Sequence, residues 1–147
     1  MIMFTGFNIS ASGLTAQRLR LDIIANNLAN AETTRTASEG PYRRQLAVFG
    51  AKEGNIFNYY LSQAFHRQKT GQGVRVLRIV EDPSPPRRAY QPGHPDADEE
   101  GYVLYPNVNV VTEMVDMISA SRSYDANASA FNASKSMAAK ALELGRR

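Results

Sequence analysis

Leucines recur every seven residues near the start of the chain, at Leu14, Leu21 and Leu28, with Ala11, Arg18 and Ala25 in the intervening positions. A seven-residue repeat of this kind marks a helix that buries a narrow seam against another helix. The same period returns near the other end. There Val110, Met117, Tyr124, Phe131 and Ala138 form one row, and Met114, Ser121, Ala128, Lys135 and Leu142 a neighbouring one. The helix breakers agree with this division. All 7 prolines lie between Pro41 and Pro106, and glycine is missing from residues 14 to 39 and from 102 to 144. Pro costs about 3 kcal/mol and Gly about 1 kcal/mol in a helix interior, so both ends read as helical. The first helix is placed at about residues 10 to 31, with Ser10 or Ser12 as its N-cap. The second begins at Asn109, another N-cap residue, and runs to Gly145, a natural stop, with Glu113 and Asp116 complementing its positive end.

The middle alternates differently. Residues 42–49, 73–82 and 101–105 are rich in β-branched and aromatic side chains and read as strands, while the proline clusters near 83–86 and 92–95 read as turns or extended segments. Between the first two strands, Ile56/Phe57, Tyr60/Leu61 and Ala64/Phe65 recur at helical spacing and predict one short amphipathic helix. The expected fold is therefore mainly α with a small β-rich insert. An N-terminal coiled-coil helix (1–31) and a C-terminal one (107–147) pair around an insert (32–106) of short strands and a short helix.

Composition sharpens this picture at one place. From residue 119 to 140 the surface is mainly Ala, Ser and Asn, whereas a solvated helix carries Glu and Lys around its outside. Small residues on several faces suit close packing against further helices, and a chain of 147 residues has too little else to cover them. Assembly with other copies or partner chains follows as the expectation. The net charge of +3 is too small to argue for nucleic acid, and the absence of cysteine removes disulfides, zinc–thiolate sites and thiol catalysis. No apolar run is long enough for a direct membrane span, and the first ten residues lack the basic start of a cleaved secretory signal.

Candidate chemistry is sparse. His66 and His94 have no ligand spacing, and Asp96, Asp98, Glu99 and Glu100 beside His94 read as a solvated acidic loop that fits no metal-binding pattern. Gly71–Gln72–Gly73 lacks the third glycine and the helix of a dinucleotide loop. The basic pairs Arg43–Arg44 and Arg87–Arg88 read as solvated or partner-facing strand edges. No catalytic, cofactor or metal site is expected, and the chain reads as an assembly protein.

Several segments carry a resemblance. Ser12–Gly13–Leu14–Thr15–Ala16–Gln17, followed by Ala25–Asn26–Asn27–Leu28–Ala29–Asn30–Ala31, resembles the N-terminal motif of bacterial flagellar axial proteins of the rod and hook. Gly40–Pro41–Tyr42–Arg43–Arg44, Gly73–Val74–Arg75–Val76, Tyr90–Gln91–Pro92–Gly93–His94–Pro95 and Ala120–Ser121–Arg122–Ser123–Tyr124–Asp125–Ala126–Asn127 are similar to the proximal-rod subunits of the basal body. The resemblance implies a structural subunit of the basal body, exported by the flagellum's own apparatus without a cleaved signal. Its terminal helices would order fully only on assembly. It further implies self-association and the neighbours FlgB, FliE and FlgF. Leu14, Leu21, Leu28, Met117, Tyr124 and Phe131 would form the assembly seam. Asn26, Asn27 and Asn30 would fix register where helix passes into insert, or simply end the helix. A self-contained coiled-coil adaptor would instead form a discrete dimer with fully helical termini, and a hook or distal-rod paralogue would carry a larger insert.

Overall fold

A computed structural model describes residues 2–37, 40–52 and 71–145. The short helix expected around residues 56–65, and His66 with it, lie outside the described residues. Helix α1 is Ile2–Ala29, strand β1 Gln45–Ala51, β2 Val74–Glu81, β3 Arg87–Tyr90, β4 Tyr102–Tyr105, and helix α2 Val110–Leu144. The terminal helices and the strand-rich middle are as the pattern predicts. The chain gathers into two compact units, one of Met1–Arg18, Phe49–Leu77 and Arg122–Arg147, the other of Leu19–Val48 and Arg78–Ser121.

Helix α2 starts where its cap residue places it. Asn109 Oδ1 accepts from the Val111 and Thr112 N–H groups at 3.0 and 3.2 Å, and the Glu113 N–H donates to the Asn109 carbonyl at 3.0 Å. Asn109→Ala is expected to cost about 1 kcal/mol and to fray this first turn. Urea unfolding followed by circular dichroism checks it. At the other end the Gly145 N–H donates to the Ala141 carbonyl at 3.1 Å, closing the last turn.

Helix α1 begins at Ile2 rather than near residue 10, and Ser10, one of the expected caps, is buried inside it. Glycine was the misleading signal. A Cβ on Gly13 would lie 2.7 Å from Asn127 Oδ1, and one on Gly6 would meet Ser134 Oγ at 3.8 Å. Gly13 admits a close neighbouring side chain, and that packing outweighs its poor propensity, while Gly6 sits at ordinary contact distance. Ser12 has a different task from capping. Its hydroxyl donates to the Ile9 carbonyl at 2.7 Å and accepts the Val74 N–H at 3.1 Å, so it pins the first residue of β2 to the helix.

Strands β1 and β2 form a two-stranded ribbon whose ends are joined by Lys52 N–H to Gly73 O and Asp82 N–H to Arg44 O, both 2.8 Å, an antiparallel arrangement. Strand β3 lies between the two proline clusters read as turns or extended segments, and it begins at the basic pair Arg87–Arg88 read as a strand edge. It pairs antiparallel with β4, Arg87 opposite Tyr105 and Tyr90 opposite Tyr102, burying Val103. The connecting loop is tied by its own side chains. Asp98 Oδ1 accepts from the Glu100 and Tyr102 N–H groups at 3.0 and 2.7 Å, and Gly101 takes φ 81°.

Candidate assembly site: a buried polar junction and open helix faces

Where α1 ends, its last turns carry asparagines that a helix tolerates poorly. Asn27 is fully buried, and it uses the whole bonding capacity of its amide. Its Nδ2 donates to the Gln45 carbonyl at 2.8 Å and to Glu113 Oε2 at 3.1 Å. Its Oδ1 accepts the Gln45 N–H at 2.9 Å and the Tyr42 hydroxyl at 2.8 Å. The side chain therefore pairs with both backbone groups of the first residue of β1, as a neighbouring strand would. Asn26 Nδ2 donates to the Tyr42 hydroxyl at 3.2 Å, and Asn30 Nδ2 turns back to the Asn26 carbonyl at 2.9 Å. Sequence alone left these asparagines between a junction and a helix end; the structure sets Asn27 in a buried network.

Glu113 completes that network. Only 1% exposed, it receives Arg44 Nε and Nη2 on Oε1, both at 2.6 Å. Arg44 also lies 3.7 Å from Asp82 and from Asp116, while Asp116 accepts from Arg20 at 3.1 Å. Three acidic groups thus converge on one guanidinium, which holds helix, ribbon and insert in one arrangement. A charge this deeply buried persists only because its pair and hydrogen bonds are complete. The sequence reading assigned Glu113 to the helix dipole and Arg44 to a strand edge. Neither assignment foresaw that the two meet.

Two titrations follow from the same geometry. Burial, then the carboxylates of Glu113 and Glu81, push the Tyr42 hydroxyl above its ordinary 10.0. The folded state therefore prefers the protonated phenol, so this contribution is whole below about pH 10 and is lost as pH rises through the raised value. Asp82 shifts the opposite way. Hydrogen bonds from Ser84, then the nearby Arg44 charge, outweigh desolvation and hold it below its ordinary 3.8. Its contribution is present above about pH 4 and is lost as pH falls through the lowered value. Tyr42→Phe is expected to cost about 1 kcal/mol at neutral pH, where Asn27 loses a donor, and to flatten the alkaline decline. Urea midpoints at pH 7 and above pH 10 check both effects.

In the unit that holds the chain ends, the helices meet through small and aromatic groups. Phe7 packs edge-on against Phe131 with ring centroids 5.1 Å apart. Leu14, Leu21, Leu28, Met117 and Phe131 are half-buried, and Tyr124 is 37% exposed. Among the described residues, the most buried helix positions are instead Ser10, Gly13, Ala16, Ile23, Ile24 and Asn27 on α1, and Glu113 and Ala120 on α2. The outward side of α2 is open: Val111 is 71% exposed and Leu142 75%, with Met114, Val115, Ile118 and Met137 exposed as well. Among the described residues, no cluster of His, Asp or Glu gathers to hold a metal ion, and no helix is long and apolar enough to cross a membrane.

Comparison with known proteins accounts for both helical ends. Residues 7–35 match the family described as flagella basal body rod protein, and residues 99–144 the flagellar basal body rod FlgEFG protein C-terminal family. Similar relatives include flagellar basal-body rod proteins FlgC from Borreliella burgdorferi, 48% identical over 98% of both chains, and from Bacillus subtilis, 45% identical over 99% of this chain and 100% of the relative. The FlgC of Salmonella typhimurium is 43% identical over 99% of each. With matches of that identity covering nearly the whole of both chains, the chain belongs to the FlgC family of flagellar basal-body rod proteins.

Proposed function

We propose that this chain is a structural subunit of the proximal rod of the bacterial flagellar basal body, built in by its two terminal helices and passing torque along the rod. One observation carries the reading. Helix α2 exposes Val111, Val115, Ile118, Met137 and Leu142 on the surface it leaves open. Apolar side chains in such number on one helix mark a surface that other chains cover. The family supplies the rod; the neighbours are further copies and the rod proteins FlgB, FliE and FlgF, reached through the flagellar export apparatus. The three segments 1–31, 32–106 and 107–147 divide the labour between packing and positioning. Leu14, Leu21, Leu28, Met117, Tyr124 and Phe131 flank the helix pairing and serve the seam, and Asn26, Asn27 and Asn30 set its register.

The test is Ala130→Gln. Ala126, Ala130 and Ala133 are exposed on α2. Gln is an adequate helix former, so the isolated chain should keep its stability. Against a packed neighbour the larger side chain costs about 1–3 kcal/mol at every subunit, and completed basal bodies counted by electron microscopy should become scarce. Normal numbers from a variant made at normal levels would show that this face stays open, and would favour a discrete coiled-coil adaptor.

A further inference from the structure

The two compact units differ in charge. That of Met1–Arg18, Phe49–Leu77 and Arg122–Arg147 holds ten basic residues against three acidic, and the other holds seven against eleven. A chain of net charge +3 is thus divided into a unit of +7 and a unit of −4. A division of this kind within one chain points to a surface of opposite charge as partner.

Its own chain does not supply that partner to the basic unit. Arg18, Lys52, Arg75, Arg122, Lys135 and Lys140 are all exposed, and none of them forms an ion pair among the described residues. In the acidic unit several arginines are occupied instead. Arg20 pairs with Asp116, Arg44 with Glu113, and Arg88 with Asp98 and Glu100, while Arg87 lies 5.2 Å from the centre of the Tyr105 ring. Arg35, Arg43 and Arg78 stay exposed there, yet the excess is anionic, and Glu32, Glu81 and Glu99 are exposed outside any ion pair.

We propose that the basic unit of one copy packs against the acidic unit of a second copy. Pairing like units brings like charges together and is disfavoured. Pairing unlike units leaves a free basic unit on one copy and a free acidic unit on the other, so the contact can repeat from copy to copy. A rod needs that mode of growth, and a discrete adaptor does not. Exposed charges are individually weak partners and are screened beyond about 8 Å at physiological salt. Charge therefore selects which surfaces meet, and the apolar side chains left open on α2 hold them together. The inference rests on the rod reading and adds to it a partner, a second copy of this chain, and a direction of association.

All four lysines, at 52, 69, 135 and 140, belong to the basic unit, and eleven of the 14 Asp and Glu residues to the acidic one. A water-soluble carbodiimide joins a lysine amine to a carboxylate touching it, so it reports this pairing directly. The purified full-length chain is treated at low and at high salt. The expected result is a ladder of covalent dimers and longer species at low salt, reduced several-fold at high salt. Lys135→Glu/Lys140→Glu weakens the basic unit and Glu32→Arg/Glu99→Arg the acidic one, and circular dichroism should match the parent for both. Either variant alone should lose most of the ladder. An equal mixture should give a dimer and little beyond it, because each variant supplies the unit that the other has lost. A parent chain that stays monomeric or stops at a dimer, or a mixture that fails to pair, overturns the contact. So does an acidic-unit variant that associates like the parent, which would leave the basic unit to another anionic surface such as lipid or nucleic acid. These outcomes leave the rod reading intact, whereas isolated basal bodies that lack the parent chain overturn both.

Discussion

Arg44→Met is expected to lower the stability of the folded chain by about 3–5 kcal/mol, the usual effect of stripping a buried charge of its partner. Methionine keeps most of the arginine stem, so the loss is electrostatic rather than a cavity. Glu113 would be left 1% exposed with Asn27 as its remaining donor, and Asp82 and Asp116 would lose the guanidinium 3.7 Å away. The double variant Arg44→Met/Glu113→Leu should recover much of the loss, because the desolvated charge is then gone as well. Denaturant unfolding of both variants decides the matter. A single variant within 1 kcal/mol of the parent would mean that the pair contributes little, whatever its geometry.

Phe131→Asp is expected to abolish rod assembly while the insert stays folded. Phe131 lies in the Ala-, Ser- and Asn-rich part of α2, and its ring packs edge-on against Phe7. Removing a half-buried phenyl and its aromatic partnership costs about 2 kcal/mol or more, and a carboxylate in its place adds desolvation. Phe131→Leu retains most of the apolar volume and should assemble. The Asn27–Gln45–Glu113 network contains no part of this contact, so the strand signal in circular dichroism should survive in both variants. Motile cells with normal basal bodies from Phe131→Asp would remove Phe131 from the assembly surface.

The contrast between these two sites shows what a hydrophobic pattern can and cannot read. Both helices, the Asn109 cap, the stop at Gly145 and strands β2 and β4 follow from breakers, caps and periodicity. Leucine spacing drew attention to Leu14, Leu21 and Leu28, which the structure leaves half-buried. A second row of the same period also makes contacts between the helices: Gly6, Gly13, Arg20 and Asn27 on α1, and Glu113, Ala120, Asn127 and Ser134 on α2. In one unit Gly13 lies against Asn127; in the other, Arg20 pairs with Asp116 and Asn27 with Glu113. Glycine and charge are poor hydrophobic signals, so this row is silent in an apolar count, although a search for any seven-residue repeat would find it. Strand β3 escaped for a related reason. Prolines at 83, 85, 86 and 92 suggested turns or extended segments and no strand of its own, yet Arg87–Tyr90 fits between them and pairs with β4, where contacts distant in sequence outweigh local propensity.

The central claim is that this chain is a rod subunit whose exposed helix surface is covered by other chains. Electron cryomicroscopy of basal bodies isolated from cells that make it tests the claim most directly. The account predicts the chain inside the rod, with Val111, Val115, Ile118 and Leu142 of α2 against neighbouring subunits. A rod without this chain, or one in which that face of α2 looks onto solvent, would contradict it.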